Sequence, residues 1–185
     1  MHLQAMPNLA AMTELTARFD QGTWSPRLVA FFCNWCTYTA ADLAGVSRMK
    51  YASNIRTIRV MCSGRVDPQF VLDAYSKGAD GVLIGGCHPN DCHYAEGNYK
   101  CLRRFRMLRR LVKDFGIEPE RLRLEWISAA EGDKVRQVVN EMVETLHRLG
   151  PLALPGRFVS WDQEIKHEQS TAVSDLRVSR EVLHA

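Results

Sequence analysis

The sequence predicts an α/β domain built on a small four-stranded parallel sheet with flanking helices. Two observations carry that prediction. Short apolar runs of strand length alternate with amphipathic stretches of helix length, four times in succession. Each pair of runs is also separated by enough chain for a helix to cross over, as parallel pairing requires. A right-handed crossover is expected each time. Composition agrees: 46% hydrophobic and 24% charged residues are ordinary values for a packed domain of this size.

The first strand is expected over residues 27–32, where Leu28, Val29, Ala30, Phe31 and Phe32 form a continuous apolar run. A short helix follows at 37–44 and ends near Gly45. The second strand is placed at 57–61. Asp67-Pro68 then opens a helix, with Pro at the first helical position, where no backbone donor is lost. Phe70, Val71, Ala74 and Tyr75 give that helix one apolar face, and Gly78 stops it. The third strand is 81–86, Gly-Val-Leu-Ile-Gly-Gly. A long helix at 98–115 carries Phe105, Leu108, Leu111, Val112 and Phe115 as its stripe, ending at Gly116. The fourth strand is 123–127. The last helix, 133–149, places Val135, Val138, Val139, Met142, Val143, Leu146 and Leu149 at i, i+3, i+4, i+7 spacing, before Gly150-Pro151. The architecture expected is flavodoxin-like or like half of a Rossmann fold.

This domain is expected to span 27–150. Residues 1–26 read as an N-terminal extension with a short helix at 9–19. Residues 151–185 lose the periodicity and read as an extended tail. No apolar run approaches the roughly 18 residues of a membrane span, and no secretory signal opens the chain. A cytoplasmic protein is expected. The formal charge of +3 does not by itself call for nucleic acid or an acidic membrane.

The cysteines carry the chemistry. Six stand at positions 33, 36, 62, 87, 92 and 101, with none in the first 32 residues or after 101. In a reducing compartment such clustering points to metal binding or redox work rather than a disulfide scaffold. Cys33, Cys62 and Cys87 each follow a strand, so a parallel sheet brings them to one edge, where open α/β folds bind ligands. Cys36 and Cys92 lie in the loops just beyond. Five sulfurs therefore converge. An iron–sulfur cluster would use four thiolates, and so would a structural zinc. A dithiol centre would need only Cys33-Asn34-Trp35-Cys36. The plainest alternative is five small buried hydrophobes. Gly85-Gly86 lets backbone approach a bulky ligand. His88 and His93 could ligate a metal or merely brace their loop.

Three segments together resemble one family. They are Phe32-Cys33-Asn34-Trp35-Cys36, then Arg59-Val60-Met61-Cys62-Ser63-Gly64-Arg65-Val66, then Gly85-Gly86-Cys87-His88-Pro89-Asn90-Asp91-Cys92-His93-Tyr94 with Gly97-Asn98-Tyr99. The chain resembles, over about 27–150, the delta subunit of methyl-viologen-reducing hydrogenase, the small iron–sulfur protein of heterodisulfide reductase complexes. That resemblance implies a [2Fe–2S] cluster held by four of Cys33, Cys36, Cys62, Cys87 and Cys92. It implies electron relay between a heterodisulfide-reductase-A-like flavoprotein and a hydrogenase, formate dehydrogenase or other redox module. Cys101 falls outside the motif and reads as structural.

The long helix is also strongly basic. Arg103, Arg106, Arg109, Arg110 and Lys113 lie opposite its apolar stripe. A nucleic-acid site is one reading. Without aromatic residues among those cations, a solvated face or a dock for an acidic partner is preferred, and no nucleic-acid partner is expected.

Overall fold

The computed structural model describes residues 24–152 and residue 154. The helix expected at 9–19 and most of the C-terminal tail lie outside the described residues. Within them the chain runs β1 (Leu28–Cys33), α1 (Thr37–Val46), β2 (Ile55–Val60), α2 (Pro68–Ser76), β3 (Gly81–Gly86), α3 (Gly97–Asp114), β4 (Leu122–Trp126) and α4 (Gly132–Leu149). Single 3-10 turns occupy Ser63–Arg65 and Pro119–Arg121. The four strands are parallel in the order β2-β1-β3-β4. The α/β architecture expected from the sequence is therefore the one observed. No helix among the described residues is long and apolar enough to cross a membrane.

Burial explains the layering. On one face α2 and α3 press Val71, Tyr75, Leu108 and Val112 against Phe31, Val82, Ile84 and Leu122 of the sheet. On the other, α1 and α4 press Ala40, Val135, Val139, Met142 and Leu146 against Leu28, Ala30, Phe32 and Leu83. Each fully buried aliphatic side chain of this kind contributes roughly 1.5–3 kcal/mol. The central strand β3 is buried at all six positions. The edge strand β2 is not, since Arg56, Thr57, Ile58 and Arg59 are all exposed.

Local signals place the ends. Asp67 Oδ1 accepts from the Gln69 amide at 2.9 Å, capping α2, with Pro68 at its start. α4 ends at Gly150, whose φ of 75° is a backbone state that side chains resist. The apolar faces of two helices differ from expectation. Phe70 of α2 is 42% exposed, while Leu111 of α3 and Phe115 just after it are 36% and 48% exposed. The buried stripe of α3 is instead Cys101, Leu108 and Val112.

A polar joint closes the edge of the sheet opposite the cysteines. Asp80 accepts from the amides of Arg27 and Leu152, at 2.8 and 3.0 Å. Arg121, 1% exposed, donates to the carbonyls of Asp80 and Leu149 and to the Glu118 carboxylate. The joint turns the chain after α4 back onto the domain, where Leu152 and Leu154 join the core under α2 and α3.

Candidate metal centre

The strand order fixes where a ligand would sit. The crossover from β1 runs to β2 over one face, and that from β2 to β3 over the other. A crevice opens between them at the carboxyl ends of β1 and β3. Cys33 is the last residue of β1, Cys36 stands just before α1, and Cys87 directly follows β3. Their three sulfurs lie within 4.8 Å of one another, and Cys33 Sγ is 3.7 Å from Cys87 Sγ.

Cys62 and Cys92 form a second group, 3.8 Å apart. Cys62 comes two residues after β2, which ends at Val60 rather than Met61. The extra step carries its loop over the end of β1, so that Cys33 Sγ reaches the Met61 carbonyl at 3.8 Å. All five residues singled out in the sequence thus come to one edge, divided three and two. All are buried and none is in a disulfide. Cys101 is buried inside the α2/α3 face, where burial pushes its thiol up to about 12.

Glycines make the second group possible. A Cβ at Gly97 would collide with Cys62 Sγ and stand 3.1 Å from Cys92 Sγ. A Cβ at Gly64 would stand 2.6 Å from the Gly97 carbonyl oxygen. Backbone meets backbone here because neither residue has a side chain. Gly97→Ala is expected to drive the Cys62 sulfur from its place. Loss of about half or more of the bound metal, with the helical circular dichroism kept, is the outcome to look for; full metal content would refute it.

The electrostatics divide the five thiols, lowering Cys33 and Cys92 and raising the other three. The neighbouring Cys36 thiol draws Cys33 down to about 5, against burial, with help from the Trp35 and Ser63 amides. That same contact with Cys33, together with burial, pushes Cys36 well up. Burial raises Cys62 to about 11 although the Gly64 amide donates to its sulfur at 3.4 Å. Burial also raises Cys87. Cys92 is lowered: burial works against it, but the amides of Tyr94, Asn98 and Gly97 outweigh burial. A site lined by inward-pointing amides suits a group with negatively charged sulfurs. Ser63 Oγ is buried with no hydrogen-bond partner among the described residues, although the Cys101 thiol lies close by.

The histidines of the loop are engaged elsewhere. His88 Nε2 meets Glu131 Oε2 at 2.7 Å. The Ser128 amide and then His88 hold the Glu131 carboxyl down at about 2. His93 stacks on Trp35, with ring centroids 3.9 Å apart, and Trp35 Nε1 donates to Tyr94 Oη at 3.3 Å. These rings form an exposed aromatic patch beside the sulfurs. Asn98 Nδ2 donates to the carbonyls of Cys87 and His88, at 3.3 and 2.7 Å, tying the start of α3 to the loop. Sequence reasoning misses Glu131 and the part played by Ser63. Glu131 lies 43 residues from its partner, and Ser63 gives no signal beyond its place in the second motif.

Comparison with known proteins gives the family of the chain. The family described as methyl-viologen-reducing hydrogenase, delta subunit, matches residues 28–150. An iron-sulfur protein of Archaeoglobus profundus, named as the D component of an F420-non-reducing hydrogenase, is 56% identical over 69% of this chain and 93% of its own length. Its counterpart in the vhc F420-non-reducing hydrogenase of Methanococcus voltae is 55% identical over 71% and 91%. A longer protein of Methanosarcina acetivorans is named as the A component of a ferredoxin/F(420)H(2)-dependent CoB-CoM heterodisulfide reductase. It is 49% identical over 78% of this chain but only 18% of its own length. The chain belongs to the methyl-viologen-reducing hydrogenase delta subunit family.

Proposed function

We propose that this protein is an electron-transfer subunit that holds one [2Fe–2S] cluster at the carboxyl edge of its sheet. The observation that carries the reading is the sulfur spacing. A metal–thiolate bond of about 2.3 Å in tetrahedral geometry puts two sulfurs on one metal roughly 3.8 Å apart. Cys33 with Cys87, at 3.7 Å, and Cys62 with Cys92, at 3.8 Å, each match that separation. Two pairs suit two irons. A cubane cluster takes one thiolate per iron and would want its sulfurs more widely spread. We assign those four residues as ligands and leave Cys36 as a neighbour donating toward Cys33.

When bound, such a cluster stores and releases single electrons. The chain's own residues do the rest. Burial of the sulfurs excludes water, and the amides of Trp35, Ser63, Gly64 and Tyr94 stabilise negative charge on them, which raises the potential. The exposed patch of Trp35, His93 and Tyr94 marks where the next redox centre approaches. Its partners are a heterodisulfide-reductase-A-like flavoprotein and a hydrogenase, formate dehydrogenase or similar module. The names of the relatives, one from a hydrogenase and one from a heterodisulfide reductase, support this placement. Residues 27–150 form the redox domain, and the two extensions serve docking.

The alternatives fit less well. A thiol–disulfide enzyme needs an accessible nucleophile, yet Cys33 and Cys36 are 1% and 5% exposed. A structural zinc uses four thiolates around one metal, and five sulfurs divided three and two exceed that set. The deciding measurement is an anaerobic visible and EPR spectrum of the purified chain, alone and with its partners, with iron and sulfide counted. About two of each per chain and a one-electron signal on reduction are expected. Zinc, or no metal in either preparation, refutes the reading.

A further inference from the structure

Helix α3 begins at the metal centre and leaves it along the outside of the domain. Gly97 abuts Cys62, and Asn98 holds the loop after Cys87. From there to Lys113 the helix runs about 24 Å. Its outward side carries two parallel rows. Arg103, Arg106, Arg110 and Lys113, spaced 3, 4 and 3 apart, form a cationic row, with Arg109 at its margin. All five are exposed, and none has an ion-pair partner among the described residues. Asp114 follows Lys113 in the chain, and Lys100 is paired with Glu96 at 3.5 Å.

Beside it runs an apolar ridge. Met107, Leu111 and Phe115 stand at i, i+4 and i+8, and are 62%, 36% and 48% exposed. Leu111 and Phe115 are residues that the sequence stripe assigns to the core and the structure leaves outside. A ridge of three large apolar side chains next to four unpaired cations is not explained by solvation alone.

We infer that this face of α3 docks an acidic electron-carrier protein whose contact surface has an apolar centre and a carboxylate rim. The inference rests on the electron-relay reading above. Charge complementarity chooses an acidic partner. The ridge chooses a protein over a nucleic acid, because phosphates would answer the arginines and leave Met107, Leu111 and Phe115 in water. A partner roughly 25 Å across, laid along the row, reaches from Lys113 to Tyr99 and the loop over the sulfurs. The row therefore sets the partner's orientation with its redox group toward the cysteine edge. Complementary charge of this kind acts mainly on the rate of encounter and falls with salt.

The test compares two reductants of the holoprotein by stopped flow: a reduced bacterial ferredoxin, small and acidic, and reduced methyl viologen, a small cation. The variant is Arg106→Glu with Arg110→Glu and Lys113→Glu. With ferredoxin at low ionic strength its rate should fall about ten- to hundredfold, and the decline with salt should vanish. With viologen its rate should hold or rise. Met107→Ser with Leu111→Ser should slow ferredoxin several-fold at every salt concentration. Should the triple variant lose its metal, Arg110→Glu alone should give the same ordering at smaller size. An unchanged ferredoxin rate with a normal viologen rate overturns the docking face and leaves the relay reading intact. Retardation of duplex DNA that the triple variant abolishes, with the ferredoxin rate unmoved, assigns the row to nucleic acid instead. A wild-type chain that accepts electrons from neither reductant refutes the relay, and the docking inference falls with it.

Discussion

Serine in place of Cys33, Cys62, Cys87 or Cys92 is expected to abolish the cluster signal, whereas Cys36→Ser keeps it. The argument is geometric. Two sulfurs that share one tetrahedral metal stand roughly 3.8 Å apart, and the two matching pairs draw on four cysteines. Losing either member of a pair leaves an iron with one protein ligand. Cys36 differs in character. Its thiol is pushed up by the contact with Cys33 and by burial, which favours a donor role toward Cys33. Serine there preserves a donor of similar size. The expected result is iron content above about three quarters of wild type for Cys36→Ser, with a shifted reduction potential because the bond toward Cys33 changes. For the other four, iron falls by about tenfold. Iron and sulfide assays with EPR, on protein made anaerobically, read the difference. Loss of the cluster in Cys36→Ser with retention in Cys87→Ser would reverse the assignment and pair Cys33 with Cys36.

The sequence exposes some of this site and hides the rest for physical reasons. Strand β3 is legible to its ends because it is buried on both faces, so its whole length is apolar or glycine. Strand β2 begins two residues before its expected start. It is an edge strand with Arg56, Thr57, Ile58 and Arg59 in solvent, and polarity does not mark its limits. Convergence of the five cysteines follows from topology alone, since parallel strands share a carboxyl edge. Their division into three and two does not, because it depends on the extra step in the loop from Val60 to Cys62 and on the backbone contact of Gly64 with Gly97. Helix α3 misleads in a simpler way. Its apolar residues cover more of the helix circumference than the sheet does, so Leu111 and Phe115 pass the edge of the core.

Arg121→Ala is expected to lower stability by about 3–5 kcal/mol, the range for emptying the site of a large, fully buried side chain. Arg121 lies far in the fold from the sulfurs, yet it holds three pieces of chain together. Its guanidinium donates to the carbonyls of Asp80, before β3, and Leu149, at the end of α4, and to Glu118. Tyr75 Oη of α2 donates to the Arg121 carbonyl at 3.0 Å. Alanine leaves two carbonyls without those donors and a cavity where a large side chain was fully buried. For a chain of this size the thermal midpoint should fall by roughly 6–20 °C, measured by circular dichroism on metal-loaded protein. Because β3 and α4 both run between this joint and the metal centre, destabilisation should appear without any change in the cluster's EPR line shape below the transition. A midpoint within about 2 °C of wild type would mean the joint is dispensable. A changed line shape in the folded variant would mean that the joint positions the cysteines directly, and not only through the stability of the sheet.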